Sequence, residues 1–155
     1  MRHLLALKRI DVYDDEKLIA QIKRHEGERL TAYRDHLGYL TIGVGRCIDK
    51  RRAGCGISRY ESTLLLSNDI ERVSRAISNA MSWTESLSDA RRAVLRNMAF
   101  QVGVEGLMKF KRTLQLIKSG HFEQAAVEML DSKWARQTPQ RAHELSVQMR
   151  DDVWQ

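Results

Sequence analysis

The sequence predicts an α+β fold that is mostly helical, with a small β-hairpin region and a larger helical region joined by a long helix. Residues 30–45 alternate like β-strands, whereas the stretches before and after them carry apolar residues at helical spacing. The 155 residues include one proline and no linker-like stretch. A chain of this length buries about two thirds of its unfolded surface, so we expect that folding needs neither a disulfide framework nor a structural metal.

The first predicted helix covers residues 14–26. It opens on the acidic pair Asp14-Asp15, and its apolar residues recur at helical spacing at Leu18, Ile19 and Ile22. Gly27 is a natural stop for a helix. Glu26 is therefore expected at the helix C-terminus.

A β-hairpin is predicted over residues 30–45, with a turn at residues 35–38. Alternation along the second strand predicts a core-facing side formed by Leu40, Ile42 and Val44. The opposite side would be glycine-rich and open to a bulky ligand, and it would consist of Tyr39, Thr41, Gly43 and Gly45.

The rest of the chain is predicted to be helical. Ser58 and Glu61 form a capping box ahead of a long joining helix with apolar positions at Leu64, Leu65, Ile70, Val73 and Ile77. Further helices are predicted from about residue 88 to Gly103, over 110–118, over 122–130, and from Thr138-Pro139 onward.

The N-terminal apolar run, residues 4–7, is too short for a signal-peptide core or a membrane span, so we expect synthesis in the cytosol. Cys47 and Cys55 are close enough in sequence for a small-loop disulfide, but a cytosolic chain favours free thiols.

The formal net charge of +6 would attract polyanions such as nucleic acid, an anionic membrane or the anionic bacterial wall. Scattered basic residues that only solvate helix faces explain the charge equally well. A nucleic-acid-binding protein is one hypothesis, but there is no zinc-finger spacing and no pair of stacking aromatics on the Gly-rich segment.

Two carboxylic acids and a hydroxyl are candidate catalytic groups. The negative end of a helix would favour a protonated Glu26, as a general acid requires, whereas Asp35 at a turn would stay ionised. Thr41 could hold a water together with Asp35. Each residue alone also fits an ordinary role, as a surface carboxylate, a turn residue and a strand former.

The three residues in this order, with the ending Thr41-Ile42-Gly43-Val44-Gly45, resemble the catalytic segment of the phage-type lysozymes, glycoside hydrolase family 24, typified by the T-even bacteriophage enzymes. Segments 91–103 and 132–142 resemble the same family in the same order, so the resemblance spans about residues 18–150.

The resemblance implies hydrolysis of the β-1,4 bond between N-acetylmuramic acid and N-acetylglucosamine in peptidoglycan, without metal or cofactor. Glu26 would be the proton donor, and Asp35 and Thr41 would position the attacking water, with inversion. Phe100 and Gln101 would border the sugar cleft, Thr113 would be a cleft position, and Arg141 would reach towards Glu26. Phe100 also fits a core aromatic, and Trp134 is expected to pack in the core.

The resemblance also implies one lysozyme-like, two-lobed domain over residues 1–155. The small β lobe would cover about 24–57, and the helical lobe would cover about 58–155 together with helix 14–26. Three positions depart from the family pattern: Arg46 replaces a common histidine, Cys47 replaces a leucine, and Glu128 replaces an amide.

These implications fit a monomeric phage endolysin that is made in the host cytoplasm and needs a separate holin-like pore to reach its peptidoglycan substrate. A tail-associated lysozyme is an alternative role. A lytic transglycosylase is an alternative activity, although it would not need the water held by Asp35 and Thr41. A catalytically silent wall-binding or structural virion protein is the alternative outside the enzymes.

Overall fold

The computed structural model describes residues 16–155, which divide into two compact units between Ser62 and Thr63. The fold is α+β and mostly helical, as predicted. In chain order the elements are α1 (Glu16–Glu26), β1 (Arg29–Arg34), β2 (Leu40–Gly43), β3 (Arg46–Cys47), α2 (Arg59–Ala80), a 3-10 turn (Ser82–Ser86), α3 (Asp89–Val102), α4 (Val104–Met108), α5 (Lys111–Lys118), α6 (Phe122–Leu130), α7 (Lys133–Gln137) and α8 (Pro139–Asp151).

Helix α1 ends where the sequence predicts. Gly27 takes a φ of +73°, which glycine adopts without strain, and its N–H donates to the carbonyl of Lys23 at 3.0 Å. Glu26 is therefore the last helical residue. The predicted first positions, 14 and 15, lie outside the described residues.

The sheet of the first unit is antiparallel, and β2 is its central strand. The predicted hairpin of β1 and β2 is confirmed, and β3 adds a short third strand that the sequence did not indicate. Thr41 pairs with Tyr33 on β1 and with Cys47 on β3. It therefore has a neighbour on each side in the sheet.

The predicted assignment of the two faces of β2 is wrong. Thr41, expected on the open side, is 3% exposed, whereas Leu40, expected in the core, is 36% exposed. The expectation rested on hydropathy in a two-stranded hairpin. Pairing Thr41 on both sides, with Tyr33 and with Cys47, puts neighbouring side chains around it that a two-stranded hairpin lacks.

The expectation of free thiols is also wrong, because Cys47 and Cys55 form a disulfide with their Cα atoms 5.2 Å apart. This separation lies within the range of about 4.4–6.8 Å that a disulfide requires. A turn at residues 52–55 and a hydrogen bond from the Gly56 N–H to the Cys47 carbonyl (2.9 Å) return the chain to β3. Local turn geometry therefore brings the two cysteines together.

The predicted capping box of α2 is confirmed, and the helices predicted from about residue 88 and from Thr138-Pro139 begin at those places. At the start of α2, the Ser58 N–H donates to Glu61 (2.7 Å) and the Glu61 N–H donates to the Ser58 hydroxyl (3.2 Å), which is a capping box. Ser88 caps α3 through the Arg91 N–H, and Pro139 stands in the first turn of α8. The 3-10 turn, α4 and α7 were not predicted.

The core of the second unit is built from helices α3 to α8 and the C-terminal half of α2. Trp134 packs edge-on against Phe110, with ring centroids 6.1 Å apart, as its expected core role requires. The fully buried side chains include Val94, Leu95, Met98, Leu107, Ile117, Met129 and Met149. None of the helices in the described part of the chain is long and apolar enough to cross a membrane.

Candidate active site

Glu26 is the terminal residue of α1, and its side chain is exposed. The nearby cation Lys23 pairs with Glu28 at 2.8 Å, so it is engaged by a different carboxylate. This position at the helix C-terminus is the one that the sequence indicated. The protonation state expected for Glu26 stays a prediction.

Asp35 closes the turn between β1 and β2. Its Oδ1 accepts hydrogen bonds from the N–H groups of Leu37 and Tyr39, both at 2.9 Å, and its own N–H donates to the Tyr39 carbonyl at 3.0 Å. An aspartate that bonds the backbone in this way is typical of a tight turn. These two hydrogen bonds from backbone N–H groups hold Oδ1 of Asp35 in place and so orient Oδ2.

Thr41 follows on β2, and its hydroxyl donates to the Tyr39 carbonyl at 3.2 Å. A hydroxyl has one proton and two acceptor lone pairs, so the oxygen remains able to accept a hydrogen bond from a water. The backbone of Tyr39 thus contacts both candidate residues: its N–H bonds Asp35, and its carbonyl bonds Thr41.

Asp49 is a buried carboxylate that sequence reasoning missed. It is 3% exposed and accepts four hydrogen bonds, from the Leu40 N–H (2.9 Å), the Arg51 N–H (2.9 Å), and Nε and Nη2 of Arg51 (2.9 and 2.7 Å). The side chain of Arg51, helped by the two backbone N–H groups, holds the pKa of Asp49 far below its usual range. The spacing Asp49-Lys50-Arg51 was the available sequence signal.

Two guanidinium groups converge on the carbonyl of Gly38, in the turn that Asp35 closes. Arg51 Nη2 and Arg34 Nη1 each donate to it at 2.8 Å. Gly38 itself has a φ of +80°, which most other residues would adopt only with strain. The ring of Tyr39 lies beneath the guanidinium groups of Arg51 and Arg52, at 5.6 and 5.4 Å from its centroid.

Arg46, which departs from the family pattern, forms an exposed ion pair with Glu61 at 2.8 Å. The pKa of Glu61 lies below its ordinary value, mainly because the N–H and hydroxyl of Ser58 bond the carboxylate, with a smaller contribution from Arg46. The replacement of histidine by arginine therefore ties β3 to the capping box of α2.

In the second unit, Phe100 and Arg141 line one groove of about 410 Å³, together with Leu66, Ile70, Val73, Ala93, Arg96, Asn97, Leu145, Gln148 and Trp154. Phe100 is 48% exposed, so its alternative reading as a core aromatic is wrong. Its exposure leaves it accessible to a ligand. Arg141 is exposed as well.

The other two residues that the resemblance placed at the cleft are already engaged or buried. Gln101 accepts a hydrogen bond from the indole N–H of Trp134 at 2.8 Å, which orients its amide. Thr113 on α5 is buried, with 2% of its surface exposed, and its role at the cleft stays a prediction. Glu128, the third departure from the family pattern, lies 3.2 Å from Arg112.

Comparisons with known proteins identify the family of this chain. The family model described as Phage lysozyme matches residues 23–149, a range that contains Glu26, Asp35 and Thr41. The chain is 33% identical over 147 residues to "Probable T4-type lysozyme 1" of Dictyostelium discoideum, covering 79% of this chain and 86% of that protein.

Two phage proteins are similar over most of this chain but are much longer. The "Pre-baseplate central spike protein Gp5" of Enterobacteria phage T4 is 32% identical, with 81% of this chain and 26% of that protein aligned. "Peptidoglycan hydrolase gp36" of Pseudomonas phage phiKMV is 31% identical, with 85% of this chain and 14% of that protein aligned.

A family match over most of the chain and relatives above 30% identity lead to one assignment. The chain belongs to the phage lysozyme family and is a glycoside hydrolase.

Proposed function

We propose that this enzyme cleaves the β-1,4 bond between N-acetylmuramic acid and N-acetylglucosamine in peptidoglycan, with inversion at the anomeric carbon. The observation that carries the proposal is the turn in which amides hold Oδ1 of Asp35 while Thr41 donates to the carbonyl of Tyr39. This arrangement leaves Oδ2 of Asp35 and the oxygen of Thr41 to accept hydrogen bonds. Two such acceptors can orient one water.

Glu26 serves as the general acid. It transfers its proton to the glycosidic oxygen as the bond from that oxygen to the anomeric carbon breaks. The water held by Asp35 and Thr41 forms the new bond to the anomeric carbon from the opposite face, and Asp35 takes its released proton. The reaction consumes one water, requires no cofactor and leaves a reducing muramic acid end.

The first test compares the wild type with Glu26→Gln and Asp35→Asn on purified peptidoglycan, with the released ends identified by mass and by borohydride reduction. We expect reducing ends from the wild type and a loss on the order of 10²- to 10⁴-fold in each variant. Circular dichroism confirms that both variants fold. Anhydro ends that persist in Asp35→Asn would indicate a lytic transglycosylase, and an inactive, folded wild type would indicate a wall-binding or structural protein.

Stereochemistry is tested separately. On a soluble glycan oligomer, proton NMR in the first minutes of the reaction reads the anomer of the new end before mutarotation. Inversion gives the α-anomer first. An initial β-anomer would overturn the inverting mechanism and leave the assignment as a hydrolase unchanged.

For the biological role, we propose an endolysin that acts as a monomer. It is made in the host cytoplasm and reaches the wall through a separate holin-like pore. The net charge of +6 supports attraction to the anionic wall. Co-expression in a bacterial host tests the pore requirement: lysis is expected only when a pore-forming protein is supplied, and lysis without one would contradict it.

The similarity to the T4 central spike protein favours tail-associated lysozyme as a second candidate role. The two roles differ in where the protein resides. Mass spectrometry of purified virions distinguishes them, because a tail lysozyme is a virion component whereas an endolysin is found in the lysate.

A further inference from the structure

We propose that Asp49 and Arg51 are positioning residues that hold the backbone shared by Asp35 and Thr41 in its catalytic geometry. The inference rests on the function proposed above for those two residues. It concerns contacts within residues 34–51 of the first unit.

Two consecutive peptide groups connect the pair to the candidate catalytic residues. The first joins Gly38 to Tyr39, and the second joins Tyr39 to Leu40. The structure contains no cis peptide bond among the described residues, and a trans peptide group is planar and rigid. A hydrogen bond on one edge of such a group therefore sets the direction of the polar atom on the other edge.

In the first peptide group, the Gly38 carbonyl accepts from Arg51 Nη2 at 2.8 Å, and the Tyr39 N–H on the other edge donates to Asp35 Oδ1 at 2.9 Å. Arg34 bonds the same carbonyl at 2.8 Å. The guanidinium groups of Arg51 and Arg34 together thus set the orientation of the amide that holds the Asp35 carboxylate.

In the second peptide group, the Leu40 N–H donates to Asp49 Oδ2 at 2.9 Å, and the Tyr39 carbonyl on the other edge accepts from the Thr41 hydroxyl at 3.2 Å. The carboxylate of Asp49 therefore helps to set the orientation of the carbonyl that holds Thr41, together with the Asp35 N–H, which donates to the same carbonyl at 3.0 Å. Each peptide group thus has one edge that contacts Asp49 or Arg51. Its opposite edge contacts Asp35 or Thr41.

Asp49 and Arg51 act as one unit, because Nε and Nη2 of Arg51 reach both oxygens of Asp49, at 2.9 and 2.7 Å. Such paired, charge-assisted bonds are strong and geometrically specific. The Asp49 side chain is 4% exposed, so water competes poorly for this carboxylate. Removing either partner should therefore loosen the contact that the other partner makes with its own peptide group.

The expected consequence is kinetic. A small displacement of catalytic groups can cost up to about 100-fold in rate, so we expect Asp49→Asn and Arg51→Gln each to lower kcat by about tenfold or more. KM should stay within about twofold, since the substrate-binding groups are untouched. The double variant should be no worse than the poorer single variant, because the pair acts as a unit.

The assay uses soluble, uncrosslinked glycan strands, at a temperature well below the Tm of every variant. Arg52→Gln is the matched control: Arg52 also lies over the Tyr39 ring but forms neither of these backbone contacts, so its kcat should equal that of the wild type. If Asp49→Asn folds poorly, the test relies on Arg51→Gln. In that variant the Leu40 N–H can still donate its hydrogen bond to Asp49.

Wild-type kcat in Asp49→Asn and Arg51→Gln, or a loss of activity that follows only the folded fraction, would overturn the proposal. If the proposed catalytic mechanism itself were wrong, the result would be different: Glu26→Gln and Asp35→Asn would then retain activity. A decisive comparison introduces Asp49→Asn into the double variant Asp35→Asn, Thr41→Val, which lacks both groups that the pair positions: the third substitution should have little further effect on the residual rate.

Discussion

Thr41 and Cys47 are direct register partners in the sheet, so the disulfide from Cys47 to Cys55 begins one strand away from the hydroxyl proposed to hold the attacking water. The bridge anchors β3, and β3 flanks the central strand on which Thr41 stands. The stability of the disulfide loop and the geometry of the site are therefore connected.

Reduction of this disulfide should destabilise the protein by roughly 2–3 kcal/mol, from the entropy of the small loop that it closes. Urea denaturation with and without reductant measures the change. The control is the double variant Cys47→Ser, Cys55→Ser, whose unfolding midpoint should not respond to reductant. An equal response in that variant would show that the reductant acts elsewhere.

Thr41→Val should fold but lose on the order of 100-fold in kcat, because it keeps the shape of the side chain and removes the acceptor for the water. Thr41→Ser keeps the hydroxyl and should retain most of the activity. The pair is compared by kcat on soluble glycan strands. Equal activity in Val and Ser variants would remove Thr41 from the mechanism.

Asp49 should make stability depend on pH in one direction. Because its pKa is lower in the folded protein than in the unfolded chain, its contribution is complete above the unfolded value of about 4. The contribution is lost as the pH falls towards the lower folded value. The difference in unfolding free energy between wild type and Asp49→Asn should be constant from pH 7 to about pH 5 and should shrink below about pH 4.

The control for this pH dependence is Asp69→Asn. Asp69 pairs with Arg72 on the surface of α2, where both side chains are largely solvated. Its substitution should change stability little at any pH. A similar pH dependence in both variants would assign the effect to general charge and not to the buried carboxylate.

Arg91 in the second unit should stabilise the end of α8. Its Nε and Nη2 donate to the carbonyls of Met149 and Arg150 at 2.9 and 3.1 Å, and its guanidinium stacks 3.6 Å from the centroid of Phe122. These carbonyls belong to the last turn, which has no intrahelical partners for them. Arg91→Lys should lower the free energy of unfolding by about 1–3 kcal/mol, because a lysine ammonium cannot reproduce the two guanidinium hydrogen bonds in this geometry.

Thermal unfolding measures this loss. Arg75→Lys is the control, since Arg75 pairs with Glu71 on an exposed face of α2. Its substitution should change stability by less than about 0.5 kcal/mol. If Arg91→Lys changes the free energy of unfolding as little as Arg75→Lys does, the contacts of Arg91 with α8 add nothing to stability.

Local signals predicted the longer helices and the turn. Gly27, the Ser58–Glu61 box and Ser88 act through hydrogen bonds within a few residues, and Pro139 acts through its own fixed φ, so a short stretch of sequence is enough to predict their effect. Asp35 at its turn belongs to the same class.

The features that the sequence did not reveal depend on contacts between separate segments. The burial of Thr41 follows from the third strand, and β3 is only two residues long, too short to show alternation. The disulfide depends on the return of the chain at Gly56. In the sequence, Asp49 is simply a charged residue beside Lys50. Its role becomes visible only in the structure, where the Leu40 N–H donates to its carboxylate.

The network around Tyr39 uses the backbone of that residue and makes no hydrogen bond to its phenol ring, which is partly covered by Arg51 and Arg52. The side chain at position 39 forms none of these hydrogen bonds, whereas Gly38 is restricted by its φ of +80°. Position 39 is thus a suitable place to install a fluorescent or crosslinking amino acid that reports on this hairpin.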